Sequence, residues 1–240
     1  MRARTVVLTL ILLLVVGIGG AVGTWVWLTR DLPSVETLAE RIRLPRGQEL
    51  AYFEQFPLSL RQAVVASEDR RFYEHSGIDP WGILRAMVRN SQERELVEGG
   101  STITQQLARN LFLDQQKTPE RKLKEIVLAW RLEGRYTKND ILTSYLNRVY
   151  LGSGAYGVVT ASKRYFNKPV EELSVGESAL LAGIIPAPSV YNPRANPKLS
   201  RERRNTVLQA MVEAEYLTQV QADRLVQMPL NLSVNQIARP

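Results

Sequence analysis

The pattern of apolar and polar positions divides the chain into one unbroken apolar run and a long series of mixed segments. Thr5 to Thr29 contains no Asp, Glu, Lys or Arg. A helix of that length would reach roughly 37 Å, enough to cross a hydrocarbon core of about 30 Å with some tilt. Arg2 and Arg4 precede the run, and Trp25 and Trp27 lie at its far end. Flanks of this kind predict an uncleaved, single-pass anchor in the cytoplasmic membrane, N-terminus inside and the rest of the chain outside the cytoplasm. The competing reading is a cleaved signal peptide with Ala21-Val22-Gly23 as its small-residue site, but the run exceeds the usual apolar region of about 7–15 residues.

Beyond the anchor, Pro33, Pro45 and Pro57 break a weakly patterned connector. Helix-start signals then recur. Ser59 precedes a helix running into Ala66. Asp79-Pro80 opens Trp81 to Asn90, and Thr118-Pro119 opens a helix ending at Gly134. Thr137 opens a helix predicted to stop at Gly152. Ser174-x-x-Glu177 and Thr218-x-x-Gln221 fit the capping box, and Asn196-Pro197 introduces a helix through about Tyr216. No segment alternates with period two between hairpin turns. The expected fold is all-α: an anchor over residues 1–29, a connector over 30–56, one domain over 57–230 and a tail over 231–240.

Composition narrows the chemistry. With no cysteine and a single histidine, thiol nucleophiles, disulfides and multi-histidine metal centres are excluded. The formal charge of +7 suggests an anionic partner, with nucleic acid, membrane or a phosphate substrate all open. Setting aside Arg2 and Arg4, 29 of the 31 basic residues face 24 acidic ones, a net +5. The window Arg109 to Lys138 holds eight basic and four acidic residues, so it carries +4 of that excess.

Four segments could carry function. Ser67 to Gly77 crowds Glu68, Asp69, Arg70, Arg71, Phe72, Tyr73 and His75 at the end of an apolar helix. Carboxylates beside aromatics and away from water have raised pKa values, as acid–base work requires; an ordinary polar helix end reads the same way, and His75 fits either a structural or a catalytic role. Gly99 to Asn110 supplies Ser101, Thr102, Thr104, Gln105, Gln106 and Asn110, an inventory suited to a sugar or phosphate, with Arg109 beside it; a plain capped helix is the alternative. In Arg121 to Glu133, the stripe Leu123, Ile126, Val127 and Trp130 is expected to face the core. Glu125 lies nearly opposite with Leu128 and Leu132, either in a simple i,i+4 pair with Arg121 or held for chemistry. Ile141 to Gly157, with Tyr145, Asn147, Tyr150 and Tyr156, fits a packing centre or the lining of a sugar groove.

In this order, the segments resemble the glycosyltransferase domain of peptidoglycan polymerases, glycosyltransferase family 51, from about Pro57 to Tyr216. The match rests on Glu68-Asp69-x-x-Phe72-x-x-His75-x-Gly77, Gly100-Ser101-Thr102-Ile103-Thr104-Gln105-Gln106, Arg121-Lys122-x-x-Glu125, Tyr145-Leu146-Asn147, and Leu181-Ala182-Gly183 with Pro188 and Tyr191-Asn192-Pro193. With no Ser-x-x-Lys module following, the chain resembles the monofunctional form. The resemblance implies a lysozyme-like helical fold with a membrane-apposed lobe. Its implied substrates are lipid II and a growing lipid-linked glycan, joined with inversion at the anomeric carbon and release of undecaprenyl diphosphate.

Residue roles follow from the same resemblance. Glu68 is the expected general base and Glu125 assists the leaving group, directly or through a divalent ion such as Mg2+ or Mn2+; no organic cofactor is implied. Asp69, Phe72 and His75 shape the site, while Ser101, Thr102, Gln105, Gln106 and Asn110 hold the donor. Arg109, Lys117, Arg121 and Lys122 match positions that bind the diphosphate. Many members carry Lys where this chain has Arg109, a planar fork in place of a point charge. The stretch with Trp81, Ile83, Leu84, Met87 and Val88 corresponds to a mobile membrane-contacting segment, or else to a core helix. Other cell-wall synthesis or division proteins are conceivable partners; nucleic acid is not, given export. The rival readings are a lysozyme-like hydrolase or lytic enzyme and a noncatalytic membrane-anchored scaffold.

Overall fold

The structure is a computed structural model that describes residues 2–42, 49–93, 99–113 and 118–233. Among these, eleven α-helices and two short 3-10 turns account for the regular structure. Among the described residues the one β-type pairing is an isolated antiparallel bridge between Tyr150 and Tyr156. The first helix, α1 (Arg2–Thr29), contains an apolar stretch Ile11–Thr29 of mean hydropathy 2.2, long enough to cross a membrane. The described apolar side chains from Ile11 to Trp27 stand exposed, and Leu28 is buried where the end of α1 packs on α6 (Pro119–Glu133). Arg131 on α6 donates from Nη1 to the Pro33 carbonyl at 2.9 Å, fixing the chain as it leaves α1.

The domain is built around α9 (Val175–Ile184). Every residue from Glu177 to Ile184 is buried, the signature of a helix enclosed on all sides. Against it pack α3 (Leu58–Glu68) and α10 (Pro197–Glu213), which also touch each other. A second layer joins α5 (Ile103–Phe112), α6 and α7 (Lys138–Leu146). Most expected starts hold: Thr118 accepts from the Arg121 amide with Pro119 at the first turn, and Thr137, Ser174 and Thr218 each form a capping box, but α3 starts at Leu58 after Pro57, so Ser59 lies inside that helix rather than ahead of it. The helix opened at Asp79-Pro80 is α4 (Pro80–Glu93).

Three further sequence expectations are corrected. The helix opened by Thr137 ends at Leu146, not Gly152, because Asn147 grips Ala51 instead of continuing the helix. Its Nδ2 donates to the Ala51 carbonyl at 2.8 Å, and its Oδ1 accepts the Ala51 amide at 3.1 Å. The helix opened by Asn196-Pro197 ends at Glu213, short of Tyr216. There Glu215 turns to φ +60° and the Tyr216 amide folds back onto the Met211 carbonyl at 2.8 Å. On α6 the expected core stripe faces outward: Leu123 is 47% exposed and Trp130 49%, and of that stripe Val127 alone is buried. The buried face carries Glu125, Leu128, Ala129 and Leu132 instead.

Candidate active site

Glu68 is the last residue of α3, and Asp69 caps that helix with its amide on the Val65 carbonyl. The chain then turns sharply through Gly77. Asp69 is buried and fully engaged: it accepts from His75 Nε2 at 2.9 and 3.0 Å and from the Ile103 amide at the start of α5 at 2.9 Å. Thr102 Oγ1 donates to the Gly77 carbonyl at 2.8 Å, a second tie between this turn and α5. Phe72 is fully buried, edge-on to Tyr73 and His75, with the Lys138 ammonium 4.5 Å above its ring. Gly77, at φ +87°, lies against the α6 backbone, where a Cβ would come within 3.1 Å of Ala129. The turn is thereby fixed on two sides, and Glu68 is held at its edge.

Glu68 opens onto a cavity of about 760 Å³. Of the residues singled out from sequence, Glu68, Asp69, Ser101, Thr102, Gln106 and Arg109 line it. Burial pushes the Glu68 carboxyl above its ordinary range. A hydrogen bond from Gln106 Nε2 at 2.8 Å and the nearby Arg203 and Arg109 charges pull it back, while the Asp69 charge adds to the rise; burial prevails. The result is a carboxylate with a single neutral donor, suited to accepting a proton from a bound hydroxyl.

Glu125 sits differently. It is 1% exposed and does not line this cavity. Arg121 Nε lies 3.1 Å from Oε1 and Lys122 Nζ 3.1 Å from Oε2. Lys122 also reaches Ser101 Oγ at 2.9 Å and Gln105 Oε1 at 3.0 Å, so it bridges the Glu125 cluster to the cavity wall. A divalent ion needs several oxygen donors of net negative charge. Here one carboxylate has a cation on each oxygen, and among the described residues no group of three acidic or histidine side chains is placed to hold a metal. In this arrangement Arg121 and Lys122 already stand on both Glu125 oxygens, so among the described residues the protein alone offers no free anionic donor to Mg2+ or Mn2+ there.

The remaining sequence candidates fall outside the cavity lining. Phe72, His75 and Gln105 lie behind the wall, all three with their side chains buried. Gln105 is committed to capping α5, accepting the Thr102 amide and the Lys122 ammonium. Asn110 lies exposed on the same helix and Arg121 lies back against Glu125. Lys117 is outside the described residues. Sequence reading missed a wall from α10, with Arg203, Thr206, Gln209 and Glu213, and a further arginine, Arg85; Arg70, from the Ser67–Gly77 segment, also lines the cavity. Glu213 pairs with Arg70 across the cavity edge. The one signal for this wall is the Arg203-Arg204 pair in mid-helix. Arg204 is consumed internally by the Val226 and Met228 carbonyls, which leaves Arg203 facing the cavity.

A family model described as Transglycosylase matches residues 36–212. Penicillin-binding protein 1A of Aquifex aeolicus is 49% identical over 179 residues, which cover 75% of this chain and 25% of that protein. A Cupriavidus necator protein whose name carries the word transglycosylase is 43% identical over 203 residues, covering 85% of this chain and 86% of the relative. The crystal structure of Penicillin-Binding Protein 1A from Haemophilus influenzae superposes with a TM-score of 0.46 and 23% identity, over 79% of this chain and 18% of that one. The chain spans about a quarter of the length of the penicillin-binding proteins that it matches.

Proposed function

The chain belongs to the transglycosylase family, and from that premise we propose that it is a peptidoglycan glycosyltransferase, anchored to the membrane by α1, that polymerises lipid II. The acceptor GlcNAc 4-hydroxyl loses its proton to Glu68 and attacks the donor MurNAc anomeric carbon. A new C–O bond forms as the bond to the diphosphate breaks, with inversion from α to β. The diphosphate leaves with the electron pair, so positive charge must stand where it departs.

Arg109 lines the cavity and Lys122 reaches it at Ser101, which supports them as that charge. Glu125 is then a positioning residue that holds Lys122 and Arg121 in place and does not itself touch the diphosphate. Asp69 and His75 fix the turn that presents Glu68. The observation that carries the reading is Glu68: an enclosed carboxyl, raised by burial, at the wall of a cavity supplied with arginines. Incubation of the purified chain with lipid II tests it. Linear β-linked glycan with release of undecaprenyl diphosphate is the expected result; no polymer from lipid II, with muropeptides released from isolated sacculi, would overturn it in favour of a hydrolase.

A further inference from the structure

Tyr145 belongs to none of the roles above. It lies on α7, fully buried, with its hydroxyl donating to Gln106 Oε1 at 2.8 Å. Gln106 in turn donates from Nε2 to Glu68 Oε2 at 2.8 Å. Three side chains from three helices thus form one line that ends on the cavity carboxylate.

The two ends of a glutamine amide are chemically opposite, one acceptor and one donor pair, and the chain of partners decides which end faces where. With Oε1 toward Tyr145, the phenol proton has an acceptor and the amide N–H faces Glu68. If the amide flipped, its oxygen would face Glu68 and could be satisfied there only by a proton on the carboxyl. The Tyr145 hydroxyl would then accept from the amide, and its own proton would lack a partner in a fully buried position, which is costly. The flip is therefore disfavoured, and with it the protonated form of Glu68. Burial pushes the Tyr145 phenol well above its ordinary range, so it remains a donor at any working pH.

We propose that Tyr145 is a positioning residue that sets the orientation of the Gln106 amide, and through it holds Glu68 ready to accept a proton. The proposal rests on Glu68 acting as the base, but its test does not use activity. The charged groups facing Glu68 are Asp69 beside it, Arg109 from α5 and Arg203 from α10. The Arg70–Glu213 pair, Arg85 and Asp79 stand elsewhere on the cavity wall. None of these is altered by a change at Tyr145.

The experiment is a carbon-13 NMR titration of the full chain in detergent, labelled at glutamate carboxyls, with the Glu68 signal assigned by its loss in Glu68→Gln. In Tyr145→Phe the Glu68 midpoint should rise by about half to one pH unit, the equivalent of one net hydrogen bond. In Gln106→Leu it should rise at least as far, and adding Tyr145→Phe to that chain should change nothing further. An unmoved midpoint in folded Tyr145→Phe, or shifts that add in the double variant, would overturn the proposal. Should Tyr145→Phe not fold, fluorotyrosine at position 145 keeps the hydroxyl and makes it a better donor. The midpoint should then fall, and a midpoint that stays or rises would overturn the proposal. Failure of Glu68→Gln to impair glycan synthesis would instead remove the functional reading while leaving this coupling measurable.

Discussion

Glu68 and Glu125 are both glutamates on helices near one cavity, and their surroundings make them opposites. Glu68, at the end of α3, has one neutral amide donor and an enclosed carboxyl, so burial raises it. Glu125, in the interior of α6, has a cation on each oxygen and is almost wholly inaccessible. Burial with a neutral partner makes a proton acceptor, and burial between two cations makes a strut. The position on the helix matters too: a carboxylate at a helix C-terminus meets the negative end of the helix dipole, whereas one in mid-helix does not.

The comparison breaks first at Glu68. Glu68→Gln should lower glycan synthesis by roughly 10²- to 10⁴-fold, the usual worth of a general base, measured by polymer formed from labelled lipid II. The fold should not suffer. Because the folded state raises the Glu68 pKa, the stabilising contribution of its neutral form is present at low pH and is lost as pH rises through the raised value. Thermal melting of Glu68→Gln should therefore match or exceed wild type at pH 7, with the difference shrinking toward acid. A clearly lower melting point at pH 7 would place Glu68 among the struts.

Glu125→Gln should show the reverse balance. Removing the anion weakens the charge-assisted contacts of Glu125 with Arg121 and Lys122, at a cost of about 2 kcal/mol. At about 2–4 °C per kcal/mol for a chain of this size, the melting point should drop by roughly 4–8 °C, and activity should fall through misplaced Lys122. Unchanged melting with abolished activity would contradict the strut reading and return Glu125 to the chemistry. The smallest effect is expected at Arg203. Its charge lowers the Glu68 pKa from across the cavity, so Arg203→Met should raise the Glu68 midpoint. A fall in that midpoint would show that Arg203 does not face Glu68.

How much of this was legible in the sequence differs by element. Helix starts were, because Thr118-Pro119, Thr137, Ser174 and Thr218 act on their own first turns and need no tertiary knowledge. The Glu68 segment was, since acids and aromatics crowd into one turn. The face of α6 was not. Apolar counting favoured Leu123 and Trp130 for the core, but the charges of Arg121 and Lys122 allow Glu125 to be buried, and that choice turns the helix over. At Thr102 and Gln105 residue types alone leave ligand binding and a capped helix both open, and the structure uses Thr102-x-x-Gln105 as a capping box. The α10 wall left only the Arg203-Arg204 pair as a signal, because a cavity face contributed from more than a hundred residues away leaves no local spacing.

The most direct measurement of Glu68 as the base is the pH dependence of kcat/KM with lipid II. A base must be ionised, so activity should fall toward acid with an apparent pKa above the 4.5 of an unperturbed glutamate. That limb should coincide with the Glu68 midpoint read by carbon-13 NMR and move with it in Arg203→Met. A profile that stays flat down to pH 4.5, or a limb that ignores the Glu68 midpoint, would contradict the assignment.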